Sequence, residues 1–323
     1  MDSRYLQSLV DNKDAEGNVV FPPINPRTGD NTYIIEKAIE LDSHTHVTLD
    51  GCRMVLADGV YEGVFISKGM WYEGVLESDL CDISIVGKNG VVFDSVSTNG
   101  LTERTEKELG VPVLRNSFIN LRGVKGFRIA DLHLTHGRYW GITLHYSSDG
   151  VIENIDYDFA NDMRNQDGID LRRGCSNIVI RNITGRCGDD VVALTALNGY
   201  GETVYADSTE YPPHAVAGIA PHITDVRIEK IHAACSGGHG IVRLLCHDGN
   251  CVKRIQIVDV VDKRLEWDAP PAYSAIRIGD DRYAYHHRAS REDMTDITIN
   301  GLVSHAKTDI LVWEGAEAPT IIK

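Results

Sequence analysis

Three carboxylates and an imidazole recur at matching places in the middle of the chain. Asp167 lies in the corner Asn165-Gln166-Asp167-Gly168, and Asp189 and Asp190 lie in Gly188-Asp189-Asp190. A short apolar run follows each corner, Ile169-Asp170-Leu171 and Val191-Val192-Ala193-Leu194, and aligning the runs puts Asp167 level with Asp190, 23 residues on. If Leu244 matches Leu194, His239 of Gly238-His239-Gly240 falls level with Asp189. Crowded carboxylates cannot all ionise, so one keeps a proton while another gives its proton up. Hydrolysis of a glycosidic bond needs that pair: an acid for the leaving oxygen and a base for water. A histidine nearby can hold or tune the proton. One aspartate alone would as readily cap a turn; four groups in register are harder to explain that way.

The rest of the chain must bring these groups together. From Thr45 onward, β-rich triplets recur between Gly, Asn, Asp and Ser: Val47-Thr48-Leu49, Phe127-Arg128-Ile129, Val151-Ile152, Ile178-Val179-Ile180, Val226-Arg227-Ile228 and Ile297-Thr298-Ile299. The step from Ile129 to Ile152 is 23 residues and that from Ile152 to Ile178 is 26. Long helical patterns are missing between them, which speaks against βαβ units. Repeats of this length built from short strands predict an all-β parallel β-helix. Its rungs, about 4.8 Å apart, would leave Asp167 and Asp190 roughly 5–6 Å apart at the backbone. Adjacent residues on a straight strand face opposite ways, so Asp189 and Asp190 share a groove only if Gly188 lets the chain bend.

Residues 1–42 read as a cap and 43–323 as one solenoid domain. In the cap, Val19-Val20-Phe21 is a strand stopped by Pro22-Pro23, and Asp30-Asn31-Thr32 begins a helix over Tyr33 to Leu41, whose apolar positions 34, 35, 38, 39 and 41 fit one face. Insertions at Ser97–Val111, Asn198–Pro221, Leu265–Tyr273 and Arg282–Glu292 would shape the binding face.

Composition narrows the partners. A formal net charge of −15 argues against a nucleic-acid backbone or an anionic membrane. No run of about 18 apolar residues predicts a membrane span. The start, Met1-Asp2-Ser3-Arg4-Tyr5-Leu6-Gln7, has no basic flank before an apolar run, so a cytoplasmic protein is expected. Seven scattered cysteines, none in CxxC, read as buried thiols and not as a zinc site.

The ordered motifs resemble the polygalacturonase-type glycoside hydrolases, family 28. That family's NTD, glycine-preceded DD, GHG and RIK are matched by Asn165-Gln166-Asp167, Gly188-Asp189-Asp190, Gly238-His239-Gly240 and Arg277-Ile278-Gly279. Similar text surrounds them, Tyr139-Trp140-Gly141-Ile142-Thr143-Leu144 and Cys175-Ser176-Asn177-Ile178. The resemblance implies a right-handed β-helix and inverting hydrolysis. The expected substrate is an oligosaccharide or small glycoside of a pectin-derived or related sugar, cleaved from the chain end as the leading reading, with endo action left open. It implies Asp189 as general acid, Asp167 and Asp190 on the attacking water, His239 supporting the acid, and Arg277 on the sugar. No metal and no organic cofactor are expected. Two departures stand out: Gln166 replaces Thr, and Gly279 replaces the Lys that grips a galacturonate carboxylate with the Arg.

Asn165, Arg243, Trp140 and His145 are further candidates for holding sugar. Arg243 aligns with Arg277 and is either a substitute cation or a structural ion pair. Trp140 either stacks on sugar or packs in the core. His133 and His136 fall near His145, His286-His287-Arg288 lies in an insertion, and Asp280-Asp281 reads as a turn cap. A uronate lyase, an epimerase and a non-catalytic carbohydrate-binding β-helix remain as alternatives, since fold alone does not set function. The oligomeric state is open.

Overall fold

The computed structural model describes residues 2–71, 80–96, 98–101, 108–197, 216, 218–247, 249–280, 288–313 and 316–322. Its strands build a 12-stranded and a nine-stranded sheet, and the chain passes from one to the other as it winds. The ladders are parallel, and the crossovers take the right-handed sense of such connections. The molecule is a right-handed parallel β-helix.

Side-chain alternation explains why these segments are strands. In Ser176–Cys187, Ile178, Ile180 and Ile183 are buried while Val179 and Arg181 are not. Register stacks Ile129, Ile152, Ile180, Ile228, Ile257 and Ile299 in one interior column. Each such side chain contributes about 1.5–3 kcal/mol by leaving water. A second column is aromatic: Phe21, Phe65, Phe93, Phe118 and Phe159 follow at centroid spacings of 6.0, 5.9, 6.1 and 6.2 Å. The long strands bend where Asp131, Asn154 and Asn182 take left-handed φ of 61, 56 and 55°, which Asn and Asp tolerate best among residues with a β-carbon. Their side chains also form a ladder: Asn154 Nδ2 donates to Asp131 Oδ1 at 2.8 Å, and Asn182 Nδ2 to Asn154 Oδ1 at 2.9 Å.

Two expectations need correction. The helix is Asp2–Asp11, with Leu6 and Val10 on its buried face, and Tyr33 to Leu41 is not helical. Thr32–Ile35 and Ile39–Leu41 are strands with alternating burial, paired to Arg53–Leu56 and Phe65–Ser67. The β-branched Thr32, Ile34, Ile35 and Ile39 favour extended backbone, and the next coil supplies the ladder. Asp2 joins helix to coil: its buried carboxylate accepts from Arg27 Nε at 2.6 Å and from the Ile34 amide at 2.8 Å. The second correction is one of register. Ile152 pairs with Ile180, and Ile178 pairs with Gly150, so that step is 28 residues and not 26. Both isoleucines point inward, so apolarity alone did not choose between them.

The other landmarks lie where expected. Asn18–Phe21 is a strand, and Leu194 pairs with Leu244. Of the insertions, residues 97, 102–107, 198–215, 217 and 282–287 (with His286 and His287), and Asp281 beside them, lie outside the described residues.

Candidate active site

The nine-stranded sheet positions the acids. Ile142–His145, Ile169–Arg173, Val192–Ala196, Val242–Cys246 and Ser274–Ile278 lie on consecutive rungs. The Gly168 amide donates to Asp190 O at 3.0 Å and the Gly141 amide to Asp167 O at 2.9 Å. Glycine is needed at 168, because a β-carbon there would sit 2.5 Å from Val191 O and 3.0 Å from Cys187 Sγ. The chain bends at 188–190. Gln166 O accepts from the amides of Gly188 at 2.9 Å and Asp189 at 3.2 Å. Gln166 is itself fully buried and donates through Nε2 to Gly137 O at 2.6 Å and Asp162 Oδ1 at 2.8 Å. The residue that departs from the family motif thus ties one acidic corner to the other.

Carboxylate oxygens of Asp167, Asp189 and Asp190 lie within 4.8 Å of one another. His239 Nδ1 lies 3.2 Å from Asp189 Oδ1, and the His239 amide donates to Cys235 Sγ at 3.0 Å. Exposure falls along the group: the His239 side chain is 54% exposed, that of Asp189 14% and that of Asp190 4%. Burial pushes the Asp167 carboxyl well above the usual range, Asp189, Asp170 and Asp190 push the same way, and Arg243 opposes them. Asp170 is a fourth acid of this group. It lies in register between Thr143 and Ala193, and burial raises it too, against the pull of Arg172. Asp167 Oδ1 and Asp170 Oδ2 make no hydrogen bond with the described residues.

A run of opposite charges continues toward the C-terminal rungs. Arg243 sits 3.4 Å from Asp190 Oδ2 and 2.9 Å from Asp280 Oδ2, and Arg277 sits 2.6 Å from the same Asp280 oxygen. Arg243 and Arg277 are register partners. Asp280 is therefore more than a turn cap, since its buried carboxylate joins two guanidiniums. The Arg277 guanidinium also lies between two rings, 6.0 Å from the centre of Tyr273 and 5.5 Å from that of Trp313.

The remaining candidates sit apart from the acids in different ways. Asn165 is half-buried with φ of 55°, shaping the turn that delivers Asp167. Trp140 precedes Gly141, but its ring packs with Tyr139 at 4.6 Å, beside Ile66, Met70 and Leu114, under the Arg172 guanidinium at 4.9 Å. His145 is buried, and neither ring nitrogen has a hydrogen-bond partner among the described residues. Burial first, then Arg173, Arg172 and Arg122, hold it well below its usual range, so it is neutral. Trp140 and His145 are both buried in this structure. His133 and His136 pair with Asp156 at 2.7 Å and Asp94 at 3.0 Å, and the backbone of Arg288 forms an isolated antiparallel β-bridge with that of His247.

The family model for glycosyl hydrolases family 28 matches residues 81–261, more than half of the chain. The chain belongs to glycosyl hydrolases family 28. The match takes in Asp167, Asp189, Asp190 and His239, and Arg277 lies beyond it. Among solved structures, the chain is similar to the polygalacturonase of Erwinia carotovora ssp. carotovora, at TM-score 0.57 and 14% identity over 99% of this chain and 93% of that one. The family 28 exopolygalacturonase of Yersinia enterocolitica gives TM-score 0.55 and 13% identity over 94% of this chain. A hyperthermoactive exopolygalacturonase of Thermotoga maritima gives 0.52 and 15%, over 98% of this chain and 86% of that one. This family 28 chain spans 63% of the length of the Yersinia enzyme. At these identities the likeness speaks for the fold. No curated protein matches the chain.

Sequence reasoning missed Asp170, Asp280 and Tyr273 in this family 28 site. Asp170 had a signal: it is two places beyond Gly168 on a strand whose alternate residues face the acids. The three clustered acids are close enough for a cation to touch all of them. A hard divalent ion wants six or more oxygens, whereas among the described residues His239 and Arg243 approach these acids and bring positive charge of their own.

Proposed function

We propose that the protein hydrolyses a glycosidic bond of an oligosaccharide or small glycoside with inversion at the anomeric carbon. Asp189 gives its proton to the leaving oxygen as the bond from anomeric carbon to that oxygen breaks. Asp167 and Asp190 hold the attacking water and take its proton. His239 tunes the proton on Asp189, and Arg277, braced by Arg243, contacts the sugar. The observation that carries this is the group of three carboxylates within 4.8 Å, one of them 3.2 Å from an exposed imidazole. Asp189 suits the acid because it is the most exposed of the three, and His239 offers a proton route from solvent. An acid must be reprotonated once per turnover, so that route matters.

One observation favours a second assignment. Burial and neighbouring charge hold the resting proton on Asp167, which would make Asp167 the donor and Asp189 the base. Oligosaccharide panels with reducing-sugar detection separate the two. With Asp189 as acid, Asp189→Asn lowers kcat by about 10²–10⁴, and substrates with a good leaving group, which need no proton, recover most of the rate. Recovery in Asp167→Asn and not in Asp189→Asn would reverse the roles. Undiminished activity in Asp189→Asn would remove Asp189 from the chemistry.

A further inference from the structure

We propose that the sugar seated beside Arg277 is a neutral one, carrying a hydroxymethyl or methyl group where a uronate carries a carboxylate. The place of the sugar rests on the hydrolase assignment above; its charge rests on three features of the C-terminal rungs.

The first is position 279. Gly279 has φ of 79°, and a β-carbon there would lie 3.2 Å from Trp313 Cβ and 3.6 Å from Ala316 Cβ. Left-handed backbone disfavours any residue with a β-carbon, so the loss of a lysine is built into the chain path and is not a simple side-chain exchange. The second is charge balance. Arg277 and Arg243 meet Asp280 at 2.6 and 2.9 Å, and Arg243 also meets Asp190 at 3.4 Å. Among the described residues, two guanidiniums face two carboxylates, so this run carries no net positive charge. A sugar carboxylate would meet that neutral run and the acids beyond it, and like charges at such range repel strongly in a site shielded from water. Arg172 does not change this balance. Arg172 is stacked on Trp140 and donates to Thr195 at 2.9 Å, three rungs from Arg277.

The third feature is a ring. Tyr273 is 51% exposed, and its amide donates to Gly238 O at 2.7 Å and His239 O at 3.2 Å. The backbone of Tyr273 is thus tied to that of His239, and its exposed ring lies 6.0 Å from the Arg277 guanidinium. An exposed ring offers a flat apolar face, and the C–H face of a neutral pyranose fits it.

Matched oligosaccharides that differ only at C6 test the proposal: galactose-based against galacturonate-based and glucose-based against glucuronate-based series. The wild-type protein should turn over the better neutral series with kcat/KM at least tenfold above its acidic counterpart. Tyr273→Ala should raise KM for that series at least fivefold with kcat little changed. Equal or faster turnover of the acidic series overturns the proposal and leaves hydrolysis standing. If no member of any series is cleaved, the hydrolase assignment falls, and calorimetric titration of the wild-type protein decides the charge. Tighter binding of a neutral series supports the proposal; tighter binding of an acidic series, or binding of none, overturns it.

Discussion

Replacing Asp167 with asparagine should stabilise the protein at pH 8 while removing its activity. Its oxygens lie within 4.8 Å of those of Asp189 and Asp190. At an effective dielectric constant of about 20, two unit charges at that range repel by about 3.5 kcal/mol. Arg243 and the sharing of a proton offset much of this, leaving an expected gain of about 1–3 kcal/mol. The pH dependence follows from the direction of the shift. Asp167 is raised in the folded state, so above the usual aspartate value of about 3.9 the native protein holds a proton that the unfolded chain has lost. Wild-type stability therefore falls as pH rises from there through the folded value. The amide cannot ionise and removes that slope, so the gain should be near zero at pH 4 and larger at pH 8. Urea unfolding at the two values, with equal slopes on denaturant, measures it. A variant less stable than wild type at pH 8, or one that gains equally at both values, would refute the crowding of these acids.

Three further outcomes follow from geometry. Gly188→Ala puts a β-carbon 2.6 Å from Gln166 Oε1 and 2.8 Å from Gln166 Cβ; kcat should drop at least tenfold, and stability by about 1–3 kcal/mol, as read by turnover and urea unfolding. Gly279→Lys should destabilise by about 1–2 kcal/mol from left-handed strain and give no better binding of an acidic sugar in calorimetry, because the strained backbone would not aim the new amine. Proton NMR of the first-formed product should show the inverted anomer. A retained anomer would make Asp167 or Asp190 a nucleophile in place of a base.

How much of this was legible in the sequence varied with the kind of signal. The 23-residue step from Ile169 to Val192 was readable because glycine and carboxylate punctuate both strands, and the step from Leu194 to Leu244 because Gly240 and Leu244 do the same. Ile152 had two inward-facing isoleucines to choose from, and only the ladder shows that Ile180 is its partner. The supposed helix over Tyr33 to Leu41 failed because nine residues with apolar positions 34, 35, 38, 39 and 41 satisfy a helical face and two short strands alike. Tertiary pairing chose the strands. Asp280 was legible as a turn residue and not as a bridge, since its partners are 37 and three residues away in sequence. For Trp140 the sequence left sugar stacking and core packing both open, because Met70 and Leu114, which pack against it, come from segments far from it in sequence.

The stacking of coils also decides what heat removes first. In a solenoid each rung leans on its neighbours and fraying starts where cover is thinnest. Thr308–Val312 and Thr320–Ile322 are among the most exposed strands, whereas the rungs of Asp167 and Asp190 are buried in mid-stack. Trp313, which covers Arg277, directly follows the first of these. Warming should therefore loosen the protein's grip on sugar while the proton-transfer machinery is still assembled, so that KM rises at temperatures where kcat holds.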